Sequence, residues 1–187
     1  MANADPRFAA AARRLEARHR EAPDDEELGY ARAVTRWVER LRPDPSPALA
    51  LAARAQHLGR WRVPRDTYPA NRPGYLRWRA DLQVFHADQT ADILRDCGFE
   101  DAFVERVGAL MRKEGLGDDP ETQALEDALC LAFMERQLAA FSTRHAEPKM
   151  QRILEKTWQK MSPAARELAL TLELPERVRS LVMRSVG

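Results

Sequence analysis

One run of residues constrains the fold more than any other. Ser46 and Pro47 carry the signature of a helix start, a capping side chain followed by proline at the first helical position. Ala48 to Leu58 then follow, and only Arg54, Gln56 and His57 interrupt the apolar residues. A helix apolar on nearly every side has no face for solvent and belongs in the middle of a fold. The chain must therefore supply enough other helices to surround it.

Those helices are legible on both sides, and no convincing alternating strand pattern appears. Pro6 to about Glu21 places Phe8, Ala11, Ala12 and Leu15 on one face. Asp24 and Glu27 have capping-box spacing before a stripe of Leu28, Tyr30, Val34, Trp37, Val38 and Leu41. Pro43 and Pro45 end it. Trp61 to Pro73 reads as a proline-punctuated loop, since Pro64, Pro69 and Pro73 forbid a helix through it. Helices are then predicted over about Gly74–Asp96, Glu100–Glu114, Pro120–Thr143 and Lys149–Met161. Ser162-Pro163 and Pro175 open two short closing helices. The expectation is all-α: a single compact bundle of about eight helices, one domain over residues 1–187.

Composition narrows the functional classes. Thirty basic residues stand against twenty-nine acidic ones, so no whole-molecule field favours nucleic acid or a membrane, and any such binding needs a local patch. No apolar run reaches the roughly 18 residues of a membrane span, and the polar opening Met-Ala-Asn-Ala-Asp-Pro does not read as a leader. A cytoplasmic protein with no membrane partner is expected. Cys97 and Cys130 lack metal or redox spacing, and Cys130 reads as a small core residue. His19 and His145 stand among charged residues and read as surface groups.

Two constellations carry chemistry. His57, His86 and the Glu126-Asp127 pair stand on three different helices, in apolar surroundings where polar groups need partners. Imidazole and carboxylate suit a divalent ion such as Mn, Fe, Ni or Zn. The alternative is mundane: His57 bonds a carbonyl, and Asp127 pairs with an arginine. The second constellation is the loop. Arg60, Arg62, Arg65, Arg72, Arg77 and Arg79 alternate with Trp61, Tyr68, Tyr75 and Trp78. A guanidinium fork holds phosphate through two bonds, and aromatics stack on bases. Arg60, Arg65, Arg72 and Arg79, with Trp61, Tyr68 and Tyr75, are the candidate contacts for a small anionic or phosphorylated molecule, or for a stretch of nucleic acid. There is no Gly-rich phosphate loop and no nucleophile elbow.

The order of these motifs resembles a divergent HD-type domain, the helical fold of metal-dependent phosphohydrolases. In that family a His-Asp doublet ends a buried helix. Gln56-His57-Leu58-Gly59-Arg60 stands in that place, and His86 to Leu94, ending at Gly98, matches a later histidine segment. Asp127, within Leu125-Glu126-Asp127-Ala128-Leu129, matches the final carboxylate. Tyr30 stands where an earlier histidine would be. The whole chain is most similar to the domain of unknown function 4202 family, whose hallmark runs as Gln56 to Pro69 and Gly74 to Arg79. The resemblance implies a phosphohydrolase acting on a small phosphorylated or nucleotide-like substrate. His57, His86 and Asp127, with Glu126 in reserve, would hold the metal. His57, Asp127 and Arg60 would be catalytic, with the loop arginines neutralising charge. The alternative is a metal-free nucleotide- or nucleic-acid-binding module using residues 60–79, and a third is an interaction protein with a vestigial pocket. Which of Glu126 and Asp127 points inward stays open on the residues alone.

Overall fold

The computed structural model describes residues 5–186, so the opening four residues, read above as no leader, lie outside the described part. The described residues are all-helical: ten α-helices and two single 3₁₀ turns. The order is α1 Pro6–His19, α2 Glu26–Leu41, α3 Pro47–Arg54, α4 Arg72–Asp96, α5 Asp101–Met111, α6 Pro120–Arg136, α7 Leu138–Thr143, α8 Glu147–Lys160, α9 Pro163–Leu170 and α10 Glu176–Val186. The 3₁₀ turns, Arg60–Arg62 and Arg65–Thr67, lie in the loop before α4. None of these helices is long and apolar enough to cross a membrane.

The apolar run becomes the centre, as its composition requires. Ala48 through Ala53 are all buried, and α3 packs against α1, α2, α5 and α6. Leu49, Leu51 and Leu58 are closed off from solvent, so trimming any of them to alanine costs about 2–5 kcal/mol. Around this centre α2 pairs with α6 and α4 with α5, while α8 and α10 pack together on the outer layer. One hydrophobic cluster runs from Phe8 to Val182.

Four local departures from the sequence reading have physical causes. Asp24 accepts from the Glu26 amide at 3.0 Å, but the reciprocal bond of a capping box is not formed, and α2 starts at Glu26. α3 stops at Arg54 instead of reaching Leu58, because His57 and Gly59 both take left-handed backbone that no α-helix can continue. α4 begins two residues before Gly74, where the Asn71 side chain accepts from the Gly74 amide at 2.8 Å. The helix expected over 120–143 breaks at Gln137. The break turns Leu138 fully into the core and sets Phe133 edge-on to Phe141 at 5.9 Å.

Candidate functional site

His57 is delivered by the end of α3. Beyond Arg54 the chain tightens through consecutive turns, and His57 adopts φ 63°. A non-glycine side chain there costs about 1–2 kcal/mol. The conformation lays its ring flat on Tyr30 of α2, with centroids 4.2 Å apart and planes 4° from parallel. The Tyr30 hydroxyl donates to the Leu129 carbonyl at 3.3 Å, and burial keeps the phenol protonated by raising its pKa. His86, from the middle of α4, brings its ring centroid to 6.0 Å from that of His57. Its Nε2 is buried and has no hydrogen-bond partner. Burial, reinforced by the Arg60 charge, pulls the His57 pKa well below its usual value. The same two causes, in the same order, bring His86 down to about 4. Both rings are therefore neutral at physiological pH.

Arg60 stands beside them. Its guanidinium lies over the Trp78 ring at 4.9 Å, and it is half-buried without a hydrogen bond or an ion pair among the described residues. Glu27 acts on it through space but lies beyond ion-pair distance. A guanidinium keeps its charge even where burial lowers its pKa, so this cluster sets an unneutralised cation beside two neutral imidazoles.

The rest of the loop serves mainly to hold Arg60 there. Arg65 donates to the carbonyls of Tyr68 and Pro69 at 2.9 and 2.8 Å, which uses both of its terminal nitrogens. Trp78 Nε1 donates to the Val63 carbonyl at 2.9 Å, and the Tyr68 hydroxyl to Asp81 at 2.9 Å. Gly74 completes the lock: a Cβ there would stand 2.3 Å from the Pro69 carbonyl oxygen. Outside the lock, Tyr75 is exposed and tilted on Trp78. Arg79 lies over Tyr75 at 6.0 Å. Arg72 is exposed at the start of α4, and Trp61 is half-buried in the first turn.

The two carboxylates do not join the histidines. Asp127 accepts from the Gln123 side chain, the Ser162 amide and the Ser162 hydroxyl, at 2.9, 2.9 and 2.6 Å. It fastens α6 to the start of α9. Glu126, its side chain only 3 % exposed, carries Lys113 on Oε2 and Lys160 on Oε1, the latter at 3.3 Å. Burial alone would raise its pKa, and the two ammonium groups outweigh that and hold it below the usual range. No three His, Cys, Asp or Glu among the described residues form a group that could hold one metal ion. Of the set expected from sequence, His57 and His86 are thus the pair that the structure brings near each other. Cys130 is a buried core residue as expected, its thiol pushed up to about 12 by burial.

Sequence reasoning missed three groups. His19 is not a surface residue but 1 % exposed. The signal was present, since it continues the Phe8, Ala11, Leu15 face by one more turn. Lys160 sits at the last turn of α8 without a distinguishing pattern. Lys113 had no signal either. It occupies the left-handed position after α5 that normally takes glycine, at φ 60°. The Lys113 amide bonds Leu110 and the Glu114 amide bonds Ala109, the pairing of a Schellman motif. Among the described residues only His57 and Lys113 are non-glycine residues with left-handed backbone. Lys113 is one of the charges acting on His57.

The family described as a domain of unknown function (DUF4202) matches over residues 3–182. The chain belongs to this family. No curated protein and no solved structure matches it. For this DUF4202 chain the hallmark segment now divides by role: Arg65, Tyr68, Pro69, Gly74 and Trp78 lock the loop onto α4, whereas His57 stacks on Tyr30 and Arg60 lies over Trp78 without an ion pair among the described residues.

Proposed function

We propose that the cluster of Tyr30, His57, His86 and Arg60 binds a small phosphorylated, nucleotide-like anion. One observation carries this reading: the Arg60 guanidinium, half-buried and stacked on Trp78, has no carboxylate within ion-pair distance. A partly desolvated cation without a counter-ion favours a ligand that brings one, and a guanidinium fork suits a phosphate in two parallel bonds. The imidazole of His86, whose Nε2 has no partner, offers a further hydrogen bond to the same ligand. Arg72, Arg79 and exposed Tyr75 lie on the same loop-α4 segment and suit the rest of a nucleotide.

Titration calorimetry with nucleoside mono-, di- and triphosphates tests the reading. Arg60→Ala should leave folding intact, because it breaks no ion pair, and should weaken binding about tenfold or more. Binding that is unchanged in Arg60→Ala overturns it. Preference for single-stranded RNA over mononucleotides, with steep salt dependence, would shift the ligand to nucleic acid.

A second reading has one observation in its favour, the pairing of His57 with a His86 whose Nε2 is unmet. It takes the fold as HD-like and the chain as a metal-dependent phosphohydrolase in which the substrate supplies the ligands that the protein does not. Metal content after purification, and phosphoester hydrolysis with added Mn, Fe, Ni or Zn, check it. Stoichiometric metal or metal-dependent turnover, lost in His57→Ala and His86→Ala, supports it. Absence of both sinks it.

A further inference from the structure

A separate recess lies between α1, α2 and α3. It encloses about 360 Å³, within the roughly 300–1,000 Å³ of small-molecule sites. Ala12, Leu28 and Ala31 give it apolar walls. His19, at the last turn of α1, lines it from the buried side. His19 Nε2 lies 3.0 Å from the Arg54 carbonyl oxygen. A carbonyl only accepts, so Nε2 carries the proton and Nδ1 presents a lone pair. That Nδ1 is buried and has no partner, which is an unfavourable condition for an acceptor in a protein interior.

The rim is basic. Arg32 pairs with Glu16, Arg36 with Glu135 at 2.8 Å, and Arg54 with Glu39 at 3.3 Å. Arg13 is exposed at the same rim and has no ion pair among the described residues. The recess thus combines an unmet acceptor at depth, an apolar middle and an uncommitted cation at the mouth.

We infer that this recess binds a small hydroxylated anion of sugar-phosphate size, whose hydroxyl donates to His19 Nδ1 and whose anionic end is held by Arg13. Burial lowers the His19 pKa, which keeps the ring in its accepting form at neutral pH. None of Tyr30, His57, Arg60 or His86 lines this recess, so the inference stands apart from the function proposed above.

The test is side-chain NMR on the full ¹⁵N-labelled chain, which resolves Nδ1 and Nε2 of each histidine. In the free protein His19 should show the Nε2-protonated tautomer with an unbonded Nδ1. Millimolar ribose 5-phosphate, glycerol 3-phosphate and glucose 6-phosphate are the probes, with ribose and inorganic phosphate as separate arms. At least one sugar phosphate should move the His19 Nδ1 resonance upfield, and inorganic phosphate alone should not. Arg13→Ala, which breaks no ion pair, should weaken that response about tenfold. The inference is overturned if no probe moves Nδ1, or if only His57 and His86 respond. It is equally overturned if Arg13→Ala binds as tightly as the native chain, or if Nδ1 already shows a hydrogen bond in the free protein, as a resident water would give.

Discussion

Two sets of polar groups sit inside the same helical core, and their bonding is completed differently. Along α6 the two carboxylates are compensated within the chain: two ammonium groups neutralise Glu126, although its Oε2 makes no hydrogen bond, and three hydrogen bonds from Gln123 and Ser162 reach Asp127. Between α2, α3 and α4, His86 keeps a buried nitrogen unmet and Arg60 keeps an uncompensated charge. The first set behaves as structure, because removing any member leaves another unsatisfied. The second leaves bonding capacity open, because its groups carry the cost of burial without a return inside the chain. Each set also holds one strained residue, Lys113 in the first and His57 in the second.

The largest effect should come from breaking the answered set. Asp127→Ala removes the acceptor for the Ser162 amide and hydroxyl and for Gln123 Nε2 together, and frees the start of α9 from α6. Urea unfolding should show a loss of about 3 kcal/mol, while the anion binding proposed for the Arg60 cluster should persist in the folded fraction. A loss below about 1 kcal/mol, accompanied by lost ligand binding, would place Asp127 with the histidines after all.

The central helix, the helical class and the loop were legible because they rest on local chemistry: proline positions, capping residues and apolar periodicity. The proximity of His57 and His86 was also anticipated, from the need of buried polar groups for partners and from resemblance to a family pattern, against the alternative that His57 bonds a carbonyl. The fate of the carboxylates was not. Both stand among apolar residues on one helix, and what separates them is whether Lys113, Lys160 or Ser162 arrives from another helix, which no local pattern encodes. His19 is the opposite case. Its charged neighbours in sequence argued for the surface, yet its spacing from Phe8, Ala11 and Leu15 had already placed it inward. Arg65 shows the same limit for the loop, since its two carbonyl partners follow from a backbone path that composition does not fix.

A smaller effect tests the unmet set through pH. The folded-state pKa of His86 is depressed by burial to about 4 from 6.5. Between those values the unfolded chain takes up a proton that the folded chain refuses. Stability is therefore fully present above about pH 6.5 and falls as pH drops toward 4. His57 and His19 are shifted in the same direction and add to the loss. Glu126, held low by its lysines, loses its own contribution only further down, as pH falls through its lowered pKa. His86→Leu removes one of these terms. Urea midpoints should show the variant losing about 2 kcal/mol less than the native chain between about pH 7 and about pH 5. Identical pH profiles would mean that His86 is not held neutral, and the contrast between the two sets would lose its main support.

The smallest effect separates backbone strain from side-chain pairing. Lys113→Ala and Lys113→Gly both remove the ammonium from Glu126, so that loss cancels between them. They differ in the left-handed backbone at φ 60°, which alanine resists and glycine adopts freely. The glycine variant should be more stable by about 1 kcal/mol, read as a higher urea midpoint at unchanged slope. His57→Ala and His57→Gly should differ by the same amount and in the same direction, because both variants lose the Tyr30 stack. Equal differences at the two positions would show that both sets hold comparable strain. What distinguishes them is then only whether the side chain so placed has its partner within the protein, as Lys113 does, or stands beside unmet groups, as His57 does.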